Sequence, residues 1–255
     1  METIEEQRAR HAPLYDGEGC APRCQSYGYR DWTYAQEERL RVLQSSGIVT
    51  GVGAIIGYDS TDNAFKPHRG IRSNWEAEIC ALARNSSECP DFPFLRWHSL
   101  NAFYYPFTAT GTLKLRADFK FIQPMLGGSV YGLPLTERFF LGGENTVRGY
   151  KPAQLGPEFK GTNGENKPLG GATSTLVSIE YLQNVIGPLD AFAFVDAGAI
   201  STESYTLGQM RATFGGGIRV DIGRGLPLLV GYGWPIGESD KSKIQGIFFS
   251  MAGEF

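Results

Sequence analysis

One arginine stands out because it lies in a glycine-rich stretch suited to a fixed turn. The stretch covers residues 141–150 and reads Leu-Gly-Gly-Glu-Asn-Thr-Val-Arg-Gly-Tyr. Its glycines, Gly142, Gly143 and Gly149, permit turns that a residue with a Cβ resists. Arg148 carries the chemistry, since a planar and permanently charged guanidinium matches a carboxylate with two parallel hydrogen bonds. The chemistry predicted here is ion pairing.

Elsewhere the chain carries no pattern that predicts catalysis. His11, His68 and His98 lie in unrelated segments, and no G-x-S-x-G, H-E-x-x-H or P-loop pattern occurs. The Gly-Gly-Gly at 215–217 is not a dinucleotide fingerprint, because its neighbours alternate with period two and no helix follows. We therefore predict a protein that is not an enzyme and binds no cofactor or metal.

Composition narrows the class of protein further. A net charge of -3 without a dense basic face argues against a nucleic-acid partner. No run of about 18 apolar residues occurs, so a membrane role requires a β-barrel, which also satisfies its backbone groups in lipid. The first residues are polar and acidic and do not form a signal peptide. We expect either a cytosolic chain or one whose true N-terminus is missing.

The elements that must position Arg148 are strands with strict alternation. In residues 113–121 every odd position is apolar and every even position is charged. In a soluble sandwich these charges would face water; in a membrane barrel they would face an aqueous lumen, with Leu113, Leu115 and Phe119 in lipid. Similar segments predict about nine strands, joined by alternately short and long connections. This is typical of an up-and-down antiparallel transmembrane β-barrel.

Three motifs in this chain resemble the BamA superfamily of outer-membrane β-barrel assembly factors. Val147, Arg148, Gly149 and Tyr150 form a segment similar to the signature of the sixth extracellular loop in that family. A second similarity is to a turn that the family carries on the periplasmic side, and it covers Asp59, Asp62, Asn63, Pro67 and Gly70. A third is to an aromatic-x-Asp-x-Gly strand motif, matched by Asp196 and Gly198, with Glu180 at the acidic position of the preceding strand.

This resemblance implies a site and a function. Residues 127–171 would fold into the lumen, where Arg148 would pair with Asp196 and have Glu180 close by. The intact protein would fold and insert other β-barrel proteins into the bacterial outer membrane, without catalysis or nucleotide. Its partners would be the lipid bilayer, unfolded outer-membrane protein clients and accessory lipoproteins of an assembly complex. The last strand, predicted from about Lys243, would carry Phe248, Phe249 and Phe255.

The chain divides into two unequal parts. Residues 1–47 do not alternate and are predicted to be an irregular segment with one short helix near residues 34–43. Residues 48–255 are predicted to be the C-terminal part of a barrel, without its first half or its periplasmic POTRA domains. Two alternatives stay open: a related polypeptide-transport or porin-like channel, and a soluble β-sandwich binding module.

Four cysteines, Cys20, Cys24, Cys80 and Cys89, fall in two close pairs. Neither spacing is usual for zinc ligands, and no histidine adjoins either pair. Cys80 and Cys89 bracket a polar loop, so we predict a disulfide between them in an oxidising compartment. Free thiols are the alternative, and the pairing of Cys20 with Cys24 is left open.

Overall fold

The fold is known from a computed structural model, which describes residues 47–84, 91–128, 130–160, 166–222 and 227–251. The predicted helix near residues 34–43, the N-terminal segment before Gly47, and Cys20, Cys24, Cys89 and Phe255 lie outside these ranges. Among the described residues, no helix is long and apolar enough to cross a membrane.

In the described part of the chain, eleven strands form two antiparallel sheets. The main sheet has nine strands in the order β1-β2-β3-β4-β7-β8-β9-β10-β11, and β5 pairs with β6 in a separate hairpin. The strands are β1 (Gly47–Asp59), β2 (Gly70–Arg84), β3 (Phe92–Thr108), β4 (Gly111–Pro124), β5 (Glu158–Lys160), β6 (Asn166–Pro168), β7 (Thr173–Ile186), β8 (Leu189–Ser201), β9 (Arg211–Asp221), β10 (Pro227–Ile236) and β11 (Ile247–Ser250). Within the main sheet neighbouring strands follow one another along the chain, and the strands between β1 and β11 each pair on both sides, so the up-and-down order predicted from the alternation is present.

The long connection between β4 and β7 packs against one face of this sheet, which we call the inner face. It contains two 3-10 turns, Val130–Gly132 and Leu135–Glu137, and the β5–β6 hairpin. We call residues 125–172 the inner loop. Its apolar side chains join the wall in two clusters, which include Leu133 against β2–β4 and Val147 against β7–β8. A third cluster lies within the wall itself, where Phe248 of β11 packs against β8.

Burial follows the period of two along the strands. On β7 and β8 the even-numbered side chains, such as Glu180 and Asp196, are buried on the inner face, whereas Ile179 and Val195 are exposed on the outer face. A polar inner face and an apolar outer face are the pattern of a barrel wall in lipid. The alternation of the sequence thus orients these strands.

The structure differs from the sequence expectations at two places. The last strand begins at Ile247, because Lys241–Lys243 forms a 3-10 turn in which Asp240 accepts a hydrogen bond from the Ser242 amide. Cys80 is a free buried thiol, so the predicted Cys80–Cys89 disulfide is not formed at its described end. The physical reason is its position in β2: Cys80 faces inward and packs with Leu82 and Phe94.

Candidate lumen-loop site

The segment before Arg148 is a compact turn that depends on glycine. Gly142 and Gly143 have φ values of 110° and 99°, in the region that side chains resist. The Gly142 amide donates to the Thr146 hydroxyl at 2.9 Å, and the Gly143 amide donates to the Tyr150 carbonyl at 3.0 Å. These bonds close the turn on itself, so Arg148 leaves it in a defined direction.

Arg148 meets Asp196 of β8 through two parallel bonds. Its Nε lies 2.8 Å from Asp196 Oδ2, and its Nη2 lies 2.8 Å from Oδ1. The backbone amide of Arg148 also donates to Asp196 Oδ2, at 3.1 Å. Asp196 is 0% exposed and Arg148 8% exposed, so this forked pair is shielded from water.

Two further polar groups on β7 complete the contacts of the guanidinium. Arg148 Nη1 donates to Glu180 Oε2. Ser178 lies directly opposite Asp196 in the β7–β8 register; its hydroxyl donates to Asp196 Oδ1 at 2.6 Å and accepts from Arg148 Nη2 at 3.3 Å. Lys114 of β4 lies opposite Glu180 in the β4–β7 register and adds a second positive charge on that side of the site.

An aromatic ring lies under the guanidinium, and it belongs to Phe194, the aromatic residue of the aromatic-x-Asp-x-Gly motif. The central carbon of the Arg148 guanidinium is 3.6 Å from the centroid of the Phe194 ring, a cation–π contact. Space for this ring comes from β9, because a Cβ at Gly215 would lie 2.7 Å from it. Phe194 precedes Asp196 by two residues and therefore shares its face, which was the signal available in the sequence.

Glycines on the wall let the loop come close. A Cβ on Gly198 would lie 2.6 Å from Val147 Cγ2. A Cβ on Gly149, whose φ is 93°, would lie 3.1 Å from the backbone of Gly233 on β10. The loop is also bonded to the β10–β11 connection, where the Gln245 amide donates to the Gly149 carbonyl at 2.9 Å. The wall thus fits the loop in shape as well as in charge.

The inner loop has a second ionic contact, which is with β3 and lies away from Asp196 on β8. Glu137, in the second 3-10 turn, pairs with Arg96 of β3, and Arg96 also lies 3.0 Å from Glu78 of β2. Here the loop supplies the anion and the wall supplies the cation. The signs are the reverse of those at Arg148, so the two contacts distinguish the position of Glu137 on the wall from that of Arg148.

Comparison with known protein families identifies the family to which this chain belongs. The Omp85 superfamily domain matches residues 31–255. The chain belongs to the Omp85 superfamily. It is 27% identical over 241 residues to the outer membrane protein assembly factor BamA of Neisseria meningitidis serogroup B, a match that covers 78% of this chain and 28% of that protein.

A solved structure of this superfamily has the same fold. The crystal structure of BamA from Haemophilus ducreyi lacking POTRA domains 1-3 is similar with a TM-score of 0.68, at 15% identity, over 85% of this chain and 46% of that one. The chain therefore spans less than half the length of each of these two relatives. Its Omp85 membership and its outward apolar face make it part of an integral outer-membrane β-barrel.

The second Omp85-like motif forms the connection between β1 and β2. Asp62 Oδ1 accepts hydrogen bonds from the backbone amides of His68 at 2.8 Å and Arg69 at 3.2 Å. Asp59 Oδ2 lies 2.9 Å from Arg72 Nε at the base of the connection. These carboxylates therefore fold the turn and do not meet the Arg148 site.

The remaining predicted residues separate in space. Gly70 has a φ of 112° and begins β2, and Pro67 is buried within the turn. Phe248 faces inward, with its ring centroid 5.7 Å from that of Phe194, whereas Phe249 is exposed on the outer face. Phe248 thus packs against the ring that lies under Arg148, and the alternation of the last strand alone did not predict this contact.

Proposed function

We propose that this chain is the C-terminal part of an Omp85 barrel that folds and inserts other β-barrel proteins into the outer membrane, without catalysis or nucleotide. The observation that carries the proposal is the buried contact of Arg148 with Asp196 and Glu180, which holds the inner loop against the wall. A porin-like channel needs an open lumen, and an anchored loop of this length opposes one.

The proposed mechanism uses the last strand as a weak seam. Among the described residues, β11 has four residues and pairs with β10 from Leu229↔Ser250 to Tyr232↔Ile247. A strand held by so few pairs leaves backbone donors and acceptors ready for a foreign strand. A client strand would be templated at this edge while the local bilayer thins, and the anchored loop would keep the wall in its shape.

The partners follow from the same proposal. Unfolded outer-membrane proteins would be the clients, and the bilayer would contact the exposed outer face. We propose accessory lipoproteins of an assembly complex as further partners, because the Neisseria relative is named an assembly factor.

The test compares loop variants of the barrel-containing protein in lipid vesicles that receive an unfolded β-barrel client. Arg148→Ala is expected to reduce the yield of protease-resistant client at least several-fold, and Arg148→Lys to restore part of it, because lysine cannot form the fork. Lys167→Ala is the matched control, since Lys167 is an exposed residue of the same loop. Full insertion activity in Arg148→Ala, with the loop still protected from protease, would exclude the proposal.

A second measurement separates assembly from conduction. Deleting residues 127–171 should abolish client insertion and raise the ion conductance of the vesicles. Insertion that survives the deletion, together with unchanged conductance, would favour a different role for the loop.

A further inference from the structure

The connection between β1 and β2, residues 60–69, carries a lysine in a pre-organised position. Asn63 Oδ1 accepts hydrogen bonds from the backbone amides of Phe65 at 2.9 Å and Lys66 at 3.1 Å. Pro67 follows and restricts the backbone of Lys66 to an extended conformation. Because the turn is folded before any further contact, little backbone freedom remains to be lost when Lys66 binds.

Lys66 reaches the other side of the sheet. Its Nζ lies 2.7 Å from each carboxylate oxygen of Asp190, at the start of β8, and Asp190 is 0% exposed. Asn184 Nδ2 donates to the same carboxylate at 2.8 Å. Arg219 lies opposite Asp190 in the β8–β9 register and donates from Nη2 to the Phe65 carbonyl at 3.4 Å. The turn thus supplies a positive charge to Asp190 and a carbonyl acceptor to Arg219.

This contact joins elements that are distant in the sheet. From β2 to β8 the order passes through β3, β4 and β7, which makes four strand spacings. At about 4.8 Å per spacing, a flat sheet would separate the two strands by about 19 Å. A direct ion pair therefore requires the sheet to curve, with the turn lying across the mouth of the concave side.

We propose that the β1–β2 turn is a latch, in which Lys66 and Asp190 are positioning residues that hold the β1–β2 hairpin against β8 and β9 across the lumen mouth. The latch lies at the end of the sheet where the short β7–β8 connection also lies, away from the inner loop. It determines where the open edge of β1 lies, and it does so independently of the Arg148 site. The inference concerns barrel shape and holds whichever activity the barrel has.

Electron-spin distance measurement tests the latch in the barrel-containing protein, reconstituted into lipid vesicles. The labels are placed at Ala64 in the turn and at Ile186 on the β7–β8 side. The native cysteines are first replaced by serine. The unaltered latch should give one narrow distance distribution. Lys66→Glu and Asp190→Lys should each lose that peak, and the double exchange, Lys66→Glu with Asp190→Lys, should restore it. Lys66→Arg should retain it.

Arg69→Glu is the matched control, because it makes the same charge change in the same turn at an exposed side chain. Its distance distribution should equal that of the parent. An unchanged peak in Lys66→Glu would overturn the proposal, as would an equal loss in Arg69→Glu. If Asp190→Lys fails to fold, Lys66→Glu and Lys66→Ala still decide the question, since Lys66 is partly exposed. No client is added, so failure here is distinct from failure of the insertion assay.

Discussion

The Arg148 guanidinium combines three kinds of contact, each of which compensates a different cost of burial. The Asp196 fork and Glu180 balance its charge, Ser178 bridges the guanidinium and Asp196, and the Phe194 ring covers one face. A buried ion pair by itself often gains little over an apolar pair, because both charges lose water. Removing one partner of the pair is costly, however, because the other charge then stays buried without a partner. The site therefore fixes the inner loop to β7 and β8.

The first prediction is that Arg148→Ala and Asp196→Ala each destabilise the folded barrel. Breaking a buried pair costs about 3–5 kcal/mol, and lumen water should reduce this. The double variant should be little less stable than either single variant, because both changes remove one interaction. Urea unfolding in lipid vesicles, analysed as a double-mutant cycle, measures the coupling. Strictly additive effects would show that the two residues do not act together.

The second prediction concerns the space that Gly198 leaves. Gly198→Ala should displace the loop, since the new Cβ would lie 2.6 Å from Val147 Cγ2 and 3.0 Å from Leu141 Cδ1. Overpacking of this kind costs about 1–3 kcal/mol. Trypsin cleavage after Arg148 should become faster, and Val147→Ala in the same chain should slow it again. Gly57→Ala is the control, because its Cβ would meet only Asn74 Oδ1, at 3.8 Å. Equal cleavage rates in Gly198→Ala and its parent would contradict the steric account.

At the scale of elements, the inner loop and the β1–β2 turn brace the sheet from its two ends. The loop is bonded to β7–β8 through Arg148 and to β3 through Glu137, and the turn is bonded to β8 through Lys66. Each brace joins strands that are not neighbours in the sheet. Strand ladders specify which strands are adjacent, but contacts of this kind specify the curvature.

The third prediction is that acid loosens the β1–β2 turn. Slight burial raises the pKa of Asp62, but the amides of His68 and Arg69 lower it by more, so the net shift is downward. A lowered carboxyl pKa means that the stabilisation is fully present above the ordinary value of about 3.9 and is lost as pH falls through the lowered value. Hydrogen exchange of the His68 and Arg69 amides, corrected for intrinsic rates, should therefore accelerate below about pH 4.

Asp62→Asn provides the matched control for this titration. The amide oxygen keeps an acceptor in the turn but does not titrate, so the acid-dependent acceleration should disappear. Persistence of the same pH dependence in Asp62→Asn would assign it to another group.

At the scale of the whole molecule, the main sheet has two open edges among the described residues. β1 pairs with β2 and β11 pairs with β10, and most of β1 is exposed on both faces. Unpaired backbone groups are not tolerated in hydrocarbon. The two relatives compared above are more than twice as long as the parts of them that this chain matches.

The fourth prediction is that residues 1–255 alone do not close into a stable barrel. Refolded into bilayers, they should aggregate or oligomerise, because pairing with a second chain is the available way to satisfy the edge strands. Electrophoresis with and without heating, together with protease protection, measures this. A heat-modifiable and protease-resistant monomer would be the contrary result. Adding the upstream strands of an Omp85 barrel in trans should suppress aggregation.

The amino-acid sequence was enough to predict the sheet, the faces of its strands and the chemistry of its turns. The alternation in residues 113–121 assigns each side chain to a face, because the side-chain period of a strand is two wherever the strand lies. Turn residues such as Asp62 act on amides a few residues away, so their role is also local. The candidates Arg148, Glu180 and Asp196 came from motif resemblance, since no local rule joins a loop arginine to a strand 48 residues away.

Tertiary structure alone decided what meets across the inner face. Lys66 and Asp190 are 124 residues apart, and their contact depends on the order of the strands and the curvature of the sheet. The same holds for the Phe194 ring under Arg148 and for Cys80, whose inward position in β2 makes it a packing residue. Such contacts arise when the whole sheet bends around the loop, and the period of any one strand carries no information about that bend.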